Sequence, residues 1–502
     1  MDIHDRTETR LSWQKCLVII GGAALLSATL PAHPVVVSHH LEIILSPDDG
    51  HITVLDHIEV PQSLVEDDGS VKFSLSRAFS LDVSERIDLL PSETNQSDVH
   101  QFRVSLRGPR RFSLRYSGRL RNAHAPELGH IGSQGVYLGG ASDWHPKFGL
   151  ALHQFTMSVE VPSGWQVVSQ GRGRSLSPSV FDWQESHPQD TIYLVAAPWT
   201  VSVGQSSIAQ VQVHLRESDE TLANHYLEAA KKYLNLYNHL IGPYPYAKFS
   251  VVENFWETGY GMPSFTLLGT RVMRLPFILH SAYPHEILHN WWGNGVYVDY
   301  TDGNWSEGLT AYMADHLLRE QQGFGAQYRR DAMQKYRNYV TRSADFPISR
   351  FVGKHGEASQ AVGYSKSMMF FHMLRRRLGN DLFIAGLRRF YAQHRFHRAG
   401  YRDLRLAFEQ VSDQDLESMF SQWTHRVGAP VLLLESVRVL PVSSGFRVQA
   451  RLRQAQSGPA YDLEIPVLVQ TGEGYREISL KLDSQTIDFR VETDTMPLRL
   501  MV

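Results

Sequence analysis

Cysteine is nearly absent. The 502-residue chain has one, Cys16, which excludes intramolecular disulfides, cysteine-based zinc sites and iron–sulfur clusters. Charge of one sign is missing too. Lys and Arg number 49 against 52 Asp and Glu, for a formal net charge of −3. The basic runs Arg107–Arg111 and Arg375–Arg377 are short and read as solvated faces. No field is available to hold a polyanion, so no nucleic-acid partner is expected. There is no repeat of fixed period and no low-complexity segment. Beyond the first 32 residues, no stretch is long and apolar enough to span a membrane.

The chain does have 42% apolar residues against 20% charged, enough to bury real cores. At about 100–200 residues per domain, its length suggests two to four domains. Histidine, at 24, is the unusual count. With cysteine so scarce, any metal centre must be built from histidine and carboxylates.

Arg6, Arg10 and Lys15 precede the uncharged stretch Cys16–Ala32, which ends in small residues. A basic start followed by a short apolar stretch reads as a secretory signal or, if uncleaved, an N-terminal anchor. The expectation is an exported chain, periplasmic or secreted, with membrane association through this segment only. Cleavage near Ala32 would also remove Cys16.

From Val35 to about Leu215 the apolar period is mostly two. Leu41/Ile43/Leu45, Phe112/Leu114/Tyr116, Phe155/Met157/Val159/Val161 and Val211/Val213/Leu215 alternate with other residues. Such runs, broken by Pro, Gly, Asp and Ser clusters, predict an antiparallel β domain. After Ser218 the spacing becomes three and four: Leu222, Tyr226, Ala229, Tyr233, Tyr237, Leu240. This predicts an amphipathic helix stopped by Gly242-Pro243. Helical signals then dominate to about Val427, apart from a strand-like Phe249–Asn254. Beyond Gly428-Ala429-Pro430 the alternation returns, at Phe446/Val448/Ala450/Leu452, Leu463/Ile465/Val467/Val469 and Ile487/Phe489/Val491. The predicted division is a leader or anchor over 1–32, a β domain over 33–207, a mainly helical domain over 208–428 and a small β domain over 429–502.

The chemistry concentrates in Ser281-Ala-Tyr-Pro-His285-Glu286-Ile-Leu-His289-Asn-Trp-Trp292. Two histidines four apart share one face of a helix, so both imidazoles can meet one cation. Glu286 follows the first of them and can point at an attacking water. Ser281 is the expected N-cap, which puts Pro284 in the first turn, where its missing N–H costs little. Glu307, in Asn304-Trp-Ser-Glu307-Gly-Leu-Thr-Ala-Tyr312, opens a second helical pattern. Two histidines and a glutamate with an open fourth position are a hydrolytic zinc set.

These motifs resemble the gluzincin aminopeptidases, the family of alanyl aminopeptidase and leukotriene hydrolase. Ile241-Gly-Pro-Tyr-Pro-Tyr-Ala-Lys248 is similar to the segment ahead of the family's substrate strand. His285–Asn294 is similar to its zinc helix, Tyr364-Ser-Lys366 to its Tyr-x-Lys-Gly motif, and Trp423–Pro430 to its link into a C-terminal β domain. Leu114–Gly118 and Trp144-His-Pro146 are similar to its N-terminal β domain. The resemblance covers about residues 35–502 and has no counterpart of the usual helical C-terminal domain.

It implies an N-terminal antiparallel β domain, a thermolysin-like, mainly α catalytic domain and a small C-terminal β domain, a multidomain α+β chain with its cleft between the first two. It implies one Zn2+ per chain on His285, His289 and Glu307, with Glu286 as general base and Tyr364 on the oxyanion. Tyr260, Gly261 and Met262 are implied to line the cleft and bind peptide substrates.

Three features depart from the family pattern. Glu307 follows His289 one residue sooner than usual, and Ser367 replaces the glycine of Tyr-x-Lys-Gly. Pro263 stands where the Gly-x-Met-Glu-Asn strand has the glutamate that binds the substrate α-amine. Glu253 and Glu257, just upstream, are the acids nearby in sequence. Three readings follow: a zinc aminopeptidase, a zinc peptidase without strict N-terminal specificity, and a non-catalytic binding protein on the same scaffold. A serine hydrolase using Gly363-Tyr-Ser365-Lys-Ser367 is an outside option, because the run lacks the final glycine of the nucleophile elbow.

Overall fold

The computed structural model describes residues 34–82, 87–91, 98–106 and 108–502. The leader and Cys16 lie outside the described residues.

The N-terminal domain is built on a seven-stranded sheet. Its strands include β1 (Val36–Ser46), β2 (His51–Glu59), β3 (Arg111–Arg119), β4 (Leu152–Glu160) and β5 (Val180–Gln189). They lie in the order Arg172–Ser177, β5, β4, β1, β2, β3, Phe79–Leu81. The alternation in the sequence is real: Val37, Leu41, Ile43 and Leu45 of β1 point inward, as do Val54 and Ile58 of β2. Neighbouring pairs are antiparallel except β1 and β4, which run parallel with Val37 opposite His153. Parallel pairing is open to these two strands because more than a hundred residues of chain separate them. Smaller sheets, one of them containing Gly135–Leu138 and Leu194–Ala197, complete the same core.

The central domain begins with a mixed five-stranded sheet. Its strands are β6 (Thr200–Gln205), β7 (Gln210–Leu215), β8 (Lys248–Asn254), β9 (Gly259–Met262) and β10 (Phe265–Gly269), in the order β6-β7-β8-β10-β9. β6 and β7 form an antiparallel hairpin, so the boundary expected at 207/208 falls inside its turn. β10 is absent from the sequence reading and β9 enters it only through the resemblance, for a physical reason. Val252, Leu267 and Phe265 pack into the N-terminal core, whereas Val251, Phe249 and Leu268 pack against the helices. A sheet buried on both faces shows continuous apolar runs instead of alternation, and β9 is four residues with two glycines.

The helix α1 spans Glu220–Leu240, as its spacing predicts, and is capped by Asp219, whose side chain accepts from the Leu222 N–H at 2.9 Å. Tyr226, Ala230, Tyr233 and Tyr237 bury its inner stripe. Beyond the helices, two three-stranded sheets form the C-terminal domain. Their Val448, Leu452 and Val467 are continuous with the helical core. Among the described residues, no helix is long and apolar enough to cross a membrane.

Candidate active site

The helix α2 (Ala282–Leu288) carries the motif, with His289 at its C-terminal cap. Ser281 occupies the N-cap position but does not cap. Its hydroxyl donates to the Phe277 carbonyl at 2.9 Å instead, because the backbone at Ser281 turns away from the helix. Pro284 falls in the first turn as expected.

His285 and His289 are each fixed through Nδ1. The Nδ1–H of His285 donates to Asp315 Oδ2 at 3.1 Å, and that of His289 to the Trp292 carbonyl at 2.9 Å. With Nδ1 donating, Nε2 is in each ring the nitrogen available to a metal ion. They lie 3.4 Å and 3.5 Å from the same oxygen, Glu307 Oε2. For a tetrahedral ion with bonds of about 2.0–2.2 Å, adjacent donors sit roughly 3.3–3.5 Å apart. Both imidazole–carboxylate separations therefore suit Zn2+, and all three donor atoms lie within 4.8 Å of one another. The expected ligands His285, His289 and Glu307 converge although they come from two helices.

Glu307 is in the first turn of α3, which runs from Trp305–Thr310 through a π-helical turn, Ala311–His316, to Leu317–Gln321. α4 repeats the device: Glu357–Gln360, a π-helical turn at Ala361–Lys366, then Ser367–Leu378. Each wide turn changes which residues face the cleft. The first contains Asp315, the partner of His285, and the second contains Tyr364. The Tyr364 ring lies parallel to His285, centroids 6.2 Å apart, and edge-on to Phe351. Burial, reinforced by the Glu307 carboxylate, pushes its phenol well above the usual range. Tyr364 is therefore a hydroxyl donor at all ordinary pH.

Ser367 is accommodated by Gly308 of α3, where a Cβ would lie 2.3 Å from Ser367 Cβ. Its hydroxyl lies 3.0 Å from the Tyr401 hydroxyl. Ser365 sits inside the π-helical turn of α4, not on a strand-to-helix elbow, which removes the serine-hydrolase option.

Glu286 is packed beneath β9. A Cβ at Gly261 would come within 2.9 Å of both Glu286 Oε2 and the Glu286 carbonyl, so glycine is required for this approach. Burial pushes the Glu286 carboxyl above its usual range, against the pull of the two imidazoles. β9 is the edge strand of its sheet and is tied to the zinc helix by Asn294, whose Nδ2 donates to the Gly261 carbonyl at 2.9 Å. Tyr260 is partly buried and packs against the N-terminal core; Met262 is buried within it. Of the three expected substrate residues, Gly261 is the one the structure sets against Glu286.

Pro263 is buried in the turn after β9. Ser264 follows in a left-handed conformation, φ 67°, its N–H held by Asn290 Oδ1 at 2.8 Å. The nearby acids are engaged elsewhere. Glu253 is 1% exposed, pairs with Arg274 at 2.7 Å and accepts from the Arg216 N–H. Glu257 accepts from the Arg271 and Val272 N–H groups that open the short helix Thr270–Met273. Asp315, Asn290 and Asn294 escaped the sequence reading. Asp315 lies eight residues past Glu307, a two-turn spacing that marks it only in retrospect.

Residues 279–423 match the peptidase family M1 domain. The chain is 24% identical over 307 residues to aminopeptidase 2 of Candida albicans, covering 57% of this chain and 33% of that protein. It is 27% identical over 241 residues to the alanine/arginine aminopeptidase of Saccharomyces cerevisiae, covering 44% and 28%. The chain thus spans a third or less of the length of these curated relatives. A crystal structure of Legionella pneumophila aminopeptidase A in complex with aspartic acid shares the fold. Its TM-score is 0.69 at 15% identity, and the match covers 92% of this chain and 57% of that one. The matched domain holds His285, His289 and Glu307, and it supports the resemblance of this chain to the gluzincin aminopeptidases.

Proposed function

We propose that this chain is a zinc-dependent peptidase that hydrolyses peptide bonds, and by its family an aminopeptidase. The observation that carries the reading is the convergence of two oriented Nε2 atoms on Glu307 Oε2, at 3.4 Å and 3.5 Å. When bound there, zinc supplies Lewis-acid polarisation of the scissile carbonyl and lowers the pKa of a water to about 7. His285, His289 and Glu307 hold it; Asp315 and the Trp292 carbonyl orient the rings. Glu286 takes the proton of the attacking water and returns it to the leaving amine. The Tyr364 hydroxyl donates to the developing oxyanion, an interaction stronger in the transition state than in the substrate. The edge strand β9 offers backbone groups to an extended peptide.

A second reading, peptidase action without strict N-terminal specificity, is favoured by Pro263 and by the prior engagement of Glu253 and Glu257. A charge-assisted contact to the α-ammonium is worth roughly 1.5–3 kcal/mol, or about 10–150-fold in kcat/KM. A digest of matched peptides with free and acetylated N-termini tests both readings. A preference for free amines above about 100-fold supports strict aminopeptidase action, and near-equal cleavage supports the second reading. No cleavage of either by zinc-loaded protein leaves a binding scaffold. Export is part of the proposal and rests on the basic start and apolar stretch alone; recovery of full-length protein in the soluble cytosolic fraction would contradict it.

A further inference from the structure

The inner faces of β1, β2 and β4 are apolar except at His39, Asp56 and His153. A fourth polar side chain, His145, reaches the same place from the loop after Trp144. None of the four is more than 3% exposed. The Nδ1–H of His39 donates to Asp56 Oδ2 at 2.8 Å, and His39 Nε2 lies 3.0 Å from His153 Nδ1. The His145 and His153 rings are 4.8 Å apart at 82°, close to the 4.9 Å and 76° of His285 and His289. One ring nitrogen from each of the three histidines lies within 4.8 Å of the other two.

The carboxylate behind His39 repeats the arrangement of Asp315 behind His285, the pattern that orients metal-binding imidazoles. The cluster is also incomplete as a hydrogen-bonded network. Asp56 Oδ1 and the Tyr116 hydroxyl, both buried, have no partner. His145 Nε2 accepts from the Ile192 N–H, with Thr191 Oγ1 also near, both at the long distance of 3.2 Å. A metal ion would exchange these long contacts for a coordinate bond. Lys147, a cation beside the cluster, is paired with Asp143, and Arg398 also faces His153.

We propose that His39, His145 and His153, backed by Asp56, form a second metal site, separate from the catalytic one. Three imidazole nitrogens suit Zn2+ or a similar borderline divalent ion. A donor set closed to solvent makes the site structural. It would staple β1 and β4 to the loop of His145, and through Thr191 and Ile192 to the chain entering Leu194–Ala197.

Metal counting tests this independently of activity, so its failure is distinct from failure of the peptidase reading. The full chain is stripped with a chelator, reloaded with excess Zn2+, desalted and analysed for zinc per chain. Two ions are expected for the unaltered protein. His285→Ala/His289→Ala should keep one, and His145→Gln/His153→Gln should keep one. If the second variant folds poorly, the first decides, because it leaves the N-terminal domain intact. The zinc X-ray absorption spectrum of that first variant should show a shell of three imidazoles. One ion in the unaltered protein and none in the His285/His289 variant would overturn the proposal. So would a remaining ion without that imidazole shell.

Discussion

His285 and His289 reach each other across one turn of a helix, whereas His39, His145 and His153 meet only because two strands pair in one register and a loop folds over them. The first cluster is partly open to solvent beside an edge strand, with Glu286 and Tyr364 around it. The second is sealed in the β core. Each has a carboxylate behind one imidazole, Asp315 in one case and Asp56 in the other. Similar donor chemistry thus serves different ends. Access and the neighbouring proton carriers, not the histidines, separate a catalytic centre from a structural one.

The largest expected effect tests that distinction directly. Glu286→Gln keeps every zinc donor yet should lower kcat on a fluorogenic peptide by about 10²–10⁴-fold. Loss of zinc along with activity would mean that Glu286 holds the metal instead of the proton. Tyr364→Phe follows, with a fall in kcat of about 10²–10³-fold, the scale of one lost oxyanion donor. Turnover near normal would return Tyr364 to the role of a packed aromatic. Gly261→Ala should cost about 10²-fold in kcat at unchanged zinc content, because the added carbon displaces the Glu286 carboxylate. An unaffected rate would show that β9 yields without moving the base.

Smaller effects sharpen the likeness between the clusters. Asp315→Asn should weaken zinc binding at the catalytic site by about 10–100-fold, measured by competition with a chelating dye. Asp56→Asn should do the same at the sealed site and leave the catalytic affinity alone. The smallest effect is expected for Ser281→Ala. Its hydroxyl does not cap α2, so stability measured by urea unfolding should change by no more than about 0.5 kcal/mol.

The elements that were legible in the sequence share one property: each depends on residues close together along the chain. α1 follows from spacings of three and four, the outer strands from alternation, and the zinc helix from His285 and His289. Glu307 stood out as a carboxylate opening a second helical pattern, which the resemblance then matched, and the structure brings it to the two imidazoles. β10 was hidden because burial on both faces erases alternation, and β9, four residues with two glycines, was marked only by the resemblance. The two π-helical turns were hidden because one extra residue in a helical run leaves no mark in composition. The parallel pairing of β1 with β4 has no local signal at all.

By itself, then, the sequence determined which residue types are available for chemistry and which of them share a helix face. One cysteine and 24 histidines direct any metal centre towards imidazole and carboxylate, and the i, i+4 spacing supplies two oriented ligands. Tertiary structure decided the rest. It set Asp315 behind His285, packed Gly261 against Glu286, committed Glu253 to Arg274 and Glu257 to a helix start, and gathered His39, His145 and His153 in one core. The physical reason is range. Helical periodicity is fixed by backbone geometry within a few residues, whereas strand register and helix packing are settled by which apolar faces exclude water together.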